Sequence, residues 1–138
     1  AVGALQMIPR TAIKIAQETG FAYDERIFTQ PKVSFRYSAF YLRKHATLFH
    51  DQLIPSAAAY NAGPAPVARW LSRDPKLGLD YLVEEFDYNE ARIYCRQVAS
   101  HMLRYLYLYE RQPEVRSRWL DALFPVQINP ALPHNIGY

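Results

Sequence analysis

Apolar residues in this chain recur at intervals of three and four, and strand-like alternation is hard to find anywhere along it. Pro9, followed by Thr11-Ala12 and closed by Gly20, predicts a first helix with proline in its first turn and glycine at its stop. Its apolar face comprises Ile8, Ala12, Ile15 and Ala16. A loop is expected from Phe21 to about Gln30. Pro31 opens a second helix whose stripe runs through Val33, Tyr37, Phe40, Tyr41, Lys44 and Leu48, leaving Arg36, Arg43 and His45 to face elsewhere. Pro55 starts a short third helix through "SAAAYNA", whose alanines permit close approach of a neighbour, and Gly63-Pro64 ends it.

Val67 to Ser72 is a brief fourth piece and "RDPKLG" a turn. Leu79 to Phe86 reads as either another short helix or an irregular connection. The strongest periodic signal follows: Ala91, Tyr94, Cys95, Val98, Met102, Tyr105 and Tyr109 share one face for about five turns. This pattern predicts the long central helix. A last helix, Val115 to Phe124, precedes the proline-rich "FPVQINPALPHNIGY", expected to wrap the surface in extended form. The expected organisation is one all-α domain over residues 1–124 and an extended tail over 125–138, without internal repeats.

Composition narrows the class. A chain of 138 residues can bury a core, and a half-hydrophobic composition with charges of both signs suits a soluble globular domain. The net charge of +3 suits an acidic polymer or surface, but no basic run is interleaved with aromatics, so nucleic acid is not expected as a partner. Eleven tyrosines offer flat apolar faces with polar tips, useful where a cleft holds a sugar, although most are expected to pack. No run of eighteen apolar residues is present, so no transmembrane segment is expected.

Common chemistries find no support. There is no HExxH, no CxxC and no glycine-rich phosphate loop. His45 and His50 stand five apart, on different helical faces, so no metal and no organic cofactor is expected. The single cysteine, Cys95, excludes an internal disulfide framework and reads as a buried structural thiol. No nucleophile elbow supports a Ser-His-Asp arrangement.

Three constellations remain, each with two readings. Gln6 in "GALQMIP" is a polar side chain offered to a ligand, or an exposed residue ahead of a helix. Tyr60 and Asn61 in "AYNAGP" fall in the last turn of a helix. The Gly-Pro stop there leaves a hydroxyl and an amide at a rim able to read a sugar, or simply forms a C-cap beside a packed tyrosine. In "VEEFDYNEARIYC", Asp87 caps the long helix with Glu90 reaching back, a capping-box arrangement in which the helix dipole favours ionised Glu90, or Glu90 is a purely structural carboxylate. Glu84 and Glu85 belong to a solvated face.

Taken in order, these pieces resemble the catalytic domain of the soluble lytic transglycosylases, the Slt-type branch of the goose-lysozyme-like fold. The family's "GLMQIMPSTA" is echoed by Gly3 to Ala12, and its "AAYNAGP" is matched at Ala58 to Pro64, with Val67, Trp70 and Leu71 in register. Its "E-x-I-P-Y-x-E-T-R-x-Y-V" is echoed by Glu84 through Cys95, with Phe86, Asp87, Ala91 and Cys95 as departures. Ile27 to Pro31 and Tyr41-Leu42 echo "LFDPxxNIxxGxxYL". The likeness covers roughly residues 1 to 109 and is specific because four segments agree in order.

The resemblance implies an N-terminally incomplete, goose-type lysozyme-like transglycosylase domain. Enzymes of this family cleave the β-1,4 bond between N-acetylmuramic acid and N-acetylglucosamine of peptidoglycan glycan strands, leaving a 1,6-anhydro end. One carboxyl group serves first as acid to the leaving oxygen and then as base to the muramoyl 6-hydroxyl, unlike the paired carboxylates of ordinary glycosidases. The family's acid/base glutamate lies ahead of the position of Gly3 and is expected upstream of residue 1, on a preceding fragment or domain. By the same resemblance Tyr60 orients that glutamate, while Gln6, Ile8, Asn61 and Glu90 bind substrate. The alternative is a non-catalytic peptidoglycan-binding or structural module. A periplasmic location follows by analogy.

Overall fold

The computed structural model describes residues 1, 5–74, 76 and 78–123. Gly3, Ala4, parts of the "RDPKLG" turn and the expected tail over 125–138 lie outside the described residues. The rest is helical: α1 (Pro9–Thr19), α2 (Glu25–Phe28), α3 (Pro31–Leu48), α4 (Leu53–Ala62), α5 (Pro64–Leu71), α6 (Leu79–Glu84), α7 (Asn89–Tyr109) and α8 (Pro113–Leu123). No strand occurs among the described residues. The chain divides into two compact units, residues 1–44 and 45–138.

In the first unit, α1 begins and ends as its punctuation requires. Pro9 stands in the first turn, and Gly20 takes a left-handed conformation (φ 71°) that lets its N–H donate to the Ala16 carbonyl at 2.9 Å. Ala12 and Ile15 are buried. Ile8, expected on the same face, is 60 % exposed, because it precedes the helix and its side chain does not follow the helical period.

The loop expected over Phe21 to Gln30 contains the one-turn helix α2, started by Asp24, whose Oδ1 accepts the Arg26 N–H at 2.7 Å. Phe28 is buried edge-on against Tyr37, with ring centroids 5.1 Å apart. The Tyr37 hydroxyl donates to the Ala22 carbonyl at 2.9 Å, and the Arg36 guanidinium lies 3.9 Å over the Phe21 ring. An aromatic cluster thus pins the loop to α3.

The buried face of α3 is rotated from the expected one. Ser34, Tyr37, Ser38, Tyr41 and His45 are buried, whereas Lys44 is exposed and its ammonium pairs with Glu18 at 3.0 Å. Counting apolar letters misses this face because serine is small enough to be buried at close helix approach, and His45, expected to face outward, is 1 % exposed.

The second unit is built around α4. Every residue from Ile54 to Ala59 is buried, so this alanine-rich helix is enclosed on all sides and packs chiefly on α5 and α7. The helix starts at Leu53 rather than Pro55. Pro55 is tolerated within the first turn, where no intrahelical acceptor awaits its missing N–H. At the other end Gly63 adopts φ 84° and ψ 156°, a region essentially closed to residues with a Cβ, and Pro64 opens α5 immediately afterwards. The chain therefore breaks after Ala62 without a loop. Val67, Trp70, Leu79, Leu82, Phe86, Ala91, Cys95 and Leu123 complete the core.

α7 is the longest of the described helices and packs on α4, α6 and α8. Its buried line follows Ala91, Cys95, Ala99 and Leu106, and the expected stripe fails at its far end, where Tyr105 and Tyr109 are exposed and stack on each other at 5.8 Å. Between Leu79 and Phe86 the chain forms the short helix α6 and then a turn.

Burial pushes the Cys95 thiol up to about 12. Because an unfolded thiol ionises near about 8.5, the fold's advantage from keeping this group neutral is fully present below that pH. It declines as pH rises toward 12, since only the unfolded chain has then lost the proton. In denaturant titrations the wild type should lose stability as pH rises above about 8.5, a slope that Cys95→Ala should lack. Native Cys95 should resist thiol reagents at neutral pH and react upon unfolding.

Candidate functional site

The end of α4 and the start of α7 meet at an open rim. Gly63 halts α4 directly after Tyr60-Asn61-Ala62, so the last turn carries three half-buried residues beyond the enclosed stretch from Ile54 to Ala59. Asn61 donates from Nδ2 to Glu90 Oε1 at 3.3 Å. Glu90 is exposed in the first turn of α7. The Tyr60 side chain acts electrostatically on Tyr94, whose phenol is raised above its ordinary pKa first by burial and then by Tyr60. Tyr94 stands one turn beyond Glu90 on the same helical face.

Tyr60, Asn61 and Glu90 are therefore brought together, and Tyr94 joins them. Sequence reading had counted Tyr94 only as a packing residue. Its spacing of four from Glu90 was the available signal.

Gln6 and Ile8 belong to the first unit. Both are exposed, and Gln6 is held at φ 52°, a left-handed conformation that residues with a side chain seldom adopt. The same conformation occurs at His50 and Asp51 in the link between α3 and α4.

The expected capping box at the start of α7 does not form. Tyr88 occupies the N-cap and offers no side-chain bond, because the Asp87 carboxylate turns back to α5. Its Oδ2 accepts from Trp70 Nε1 at 2.9 Å and from Arg73 Nη2 at 2.6 Å. These two bonds, Arg73 first, hold the Asp87 carboxyl below the usual range. Glu84 is likewise lowered by its hydrogen-bonded ion pair with Arg96. Both are half-exposed and ionised at neutral pH, which disqualifies them as proton donors there. No group of three or more His, Cys, Asp or Glu side chains fit for a metal ion occurs among the described residues.

The sequence profile of the transglycosylase SLT domain matches residues 1–82. The chain belongs to the transglycosylase SLT family. A Haemophilus influenzae protein assigned as a soluble lytic murein transglycosylase is 31 % identical over 121 residues, covering 86 % of this chain and 20 % of that relative. The soluble lytic murein transglycosylase of Escherichia coli is 28 % identical over the same length, covering 85 % and 19 %. The chain thus spans about a fifth of the length of these curated relatives. Among solved structures, an inactive mutant of the lytic transglycosylase Slt from Pseudomonas aeruginosa superposes with a TM-score of 0.67 at 24 % identity, over 97 % of this chain and 20 % of that one. The fold is accordingly the all-α, lysozyme-like SLT fold. The profile covers Gln6, Ile8, Tyr60 and Asn61 but stops short of Glu90, which enters through its bond to Asn61.

Proposed function

We propose that this chain forms the sugar-binding part of a peptidoglycan lytic transglycosylase, cleaving the β-1,4 bond between N-acetylmuramic acid and N-acetylglucosamine with formation of 1,6-anhydro-muramic acid. The observation that carries this reading is the Asn61–Glu90 bond at the open end of α4, beside Tyr60, in a chain of the SLT family. A phenol, an amide and a carboxylate at one rim suit the hydroxyl and acetamido groups of an amino sugar.

In this reading Asn61 spends one amide hydrogen on Glu90, fixing the carboxylate so that its free lone pairs accept from substrate. Tyr60 presents its hydroxyl to the acid/base carboxyl and orients it. Gln6 and Ile8 contribute a polar and an apolar contact to the saccharide, and the unusual backbone at Gln6 is the kind of outlier found where a side chain is aimed at a ligand.

The reaction needs one carboxyl group that is protonated when the glycosidic oxygen leaves and ionised when the 6-hydroxyl attacks. Glu84 and Asp87 stay ionised in their arginine pairs, and Glu90 serves binding. By its resemblance to the family, the acid/base role belongs to a glutamate that the family places ahead of the Gly3 position. The substrate is the glycan strand, and the periplasm is the compartment in which that strand lies. Among the described residues no helix is long and apolar enough to cross a membrane.

The test is mass spectrometry of peptidoglycan incubated with the full-length protein. Anhydro-muropeptides are the expected products. Hydrolysed, non-anhydro ends would replace the reaction type, and binding without any product would leave a non-catalytic peptidoglycan-binding module instead.

A further inference from the structure

The start of α7, which carries Glu90, lacks a cap of its own, yet the segment leading into it is tied at successive residues. Arg73 Nη1 donates to the Glu85 carbonyl at 2.9 Å, while its Nη2 reaches the Asp87 carboxylate. Phe86 stacks on Trp70 with ring centroids 4.5 Å apart, and its carbonyl accepts from Arg92 Nη1. Tyr88 meets the same indole edge-on at 5.1 Å. Trp70 itself is 1 % exposed and sits within α5, so its ring and its N–H are fixed points against which residues 86–88 are set.

We infer that Asp87 is a positioning residue: through Trp70 and Arg73 it fixes the entry into α7 and thereby the placement of Glu90 against Asn61. The inference rests on the functional reading above for Glu90's part in substrate binding, but its structural half stands on this geometry alone. Position 87 is also where the family pattern has proline, which would stiffen the entry by restricting the backbone. Here a carboxylate performs the restriction from outside the backbone, by holding on to a neighbouring helix. The bond to Arg73 is half-exposed and ionic, so it weakens with salt, whereas the bond from the neutral, buried indole N–H to the same carboxylate is screened less.

The test uses the full-length protein carrying Asp87→Ala, Asp87→Asn and Glu90→Gln, with folding checked by circular dichroism. Asp87→Ala is expected to speed hydrogen exchange of the amides over residues 88–92 by on the order of tenfold. Asp87→Asn, which keeps an acceptor oxygen for both donors, should restore most of the protection. On peptidoglycan, Asp87→Ala should raise KM roughly fivefold with little change in kcat, since it disturbs a binding group rather than the proton-transfer step. In a Glu90→Gln background the same change should matter less than about twofold, because both act through one contact.

Unchanged exchange in Asp87→Ala, or fully multiplicative effects in the double variant, overturns the assignment. A wild-type protein that neither binds nor cleaves peptidoglycan overturns the functional reading and with it the role in substrate binding. The exchange measurement then still decides separately whether Asp87 orders the start of α7.

Discussion

Replacing Tyr60 by phenylalanine is expected to cut turnover of peptidoglycan by roughly 10²-fold while leaving the fold intact, the scale seen when one well-placed hydrogen-bond donor is removed from a reacting centre. The ring stays and keeps its half-buried packing at the end of α4; only the hydroxyl is lost. Steady-state kinetics on the full-length protein, paired with thermal unfolding followed by circular dichroism, separates the two. The loss should fall on kcat more than on KM, because an orienting hydroxyl acts on the proton-transfer step. A variant with unchanged turnover and unchanged unfolding removes Tyr60 from the mechanism. The neighbouring phenol of Tyr94, raised by burial and by Tyr60, should also titrate closer to its ordinary value in this variant.

Trp70→Ala is expected to produce the largest loss of stability, about 3–5 kcal/mol, a substantial part of what a domain of this size has to lose. Three things disappear together: a large side chain that is 1 % exposed, its stacking on Phe86, and the indole N–H bound to Asp87. Chemical denaturation distinguishes them. Trp70→Phe retains most of the buried volume and the stacking but removes the N–H, so it should lie well above Trp70→Ala in midpoint. Equal losses in the two variants would mean that the hydrogen bond to Asp87, rather than cavity formation, dominates.

How legible the fold was depended on whether a local signal sufficed. Pro9 and Gly20 marked α1 because proline and glycine act through their own backbones, and Gly63-Pro64 marked the break after α4 for the same reason. The buried face of α3 was not legible. Ser34, Ser38 and His45 are buried by what surrounds them, which hydropathy along one helix does not report. The stripe of α7 was right near Ala91 and Cys95 and wrong at Tyr105 and Tyr109, because the period continues beyond the point where packing partners end.

At the rim the pattern was similar. The adjacency of Tyr60 and Asn61 followed from sequence, and their conjunction with Glu90 came from family resemblance. The bond between Asn61 and Glu90 needed the structure, since 29 residues separate them. The capping box failed for an instructive reason. Asp87 is locally well placed to cap α7, but a buried indole N–H and a guanidinium compete for its carboxylate, and together they win.

The enclosure of α4 also determines where this scaffold can be altered. From residue 54 to residue 59 any enlarged side chain must displace a neighbour, so randomised positions there would mostly return chains that do not fold. Beyond it the final turn, at Tyr60, Asn61 and Ala62, emerges from that packing. A selection for altered sugar preference should therefore draw its diversity from those three positions and from the facing end of α7, where recognition can change while the interior does not.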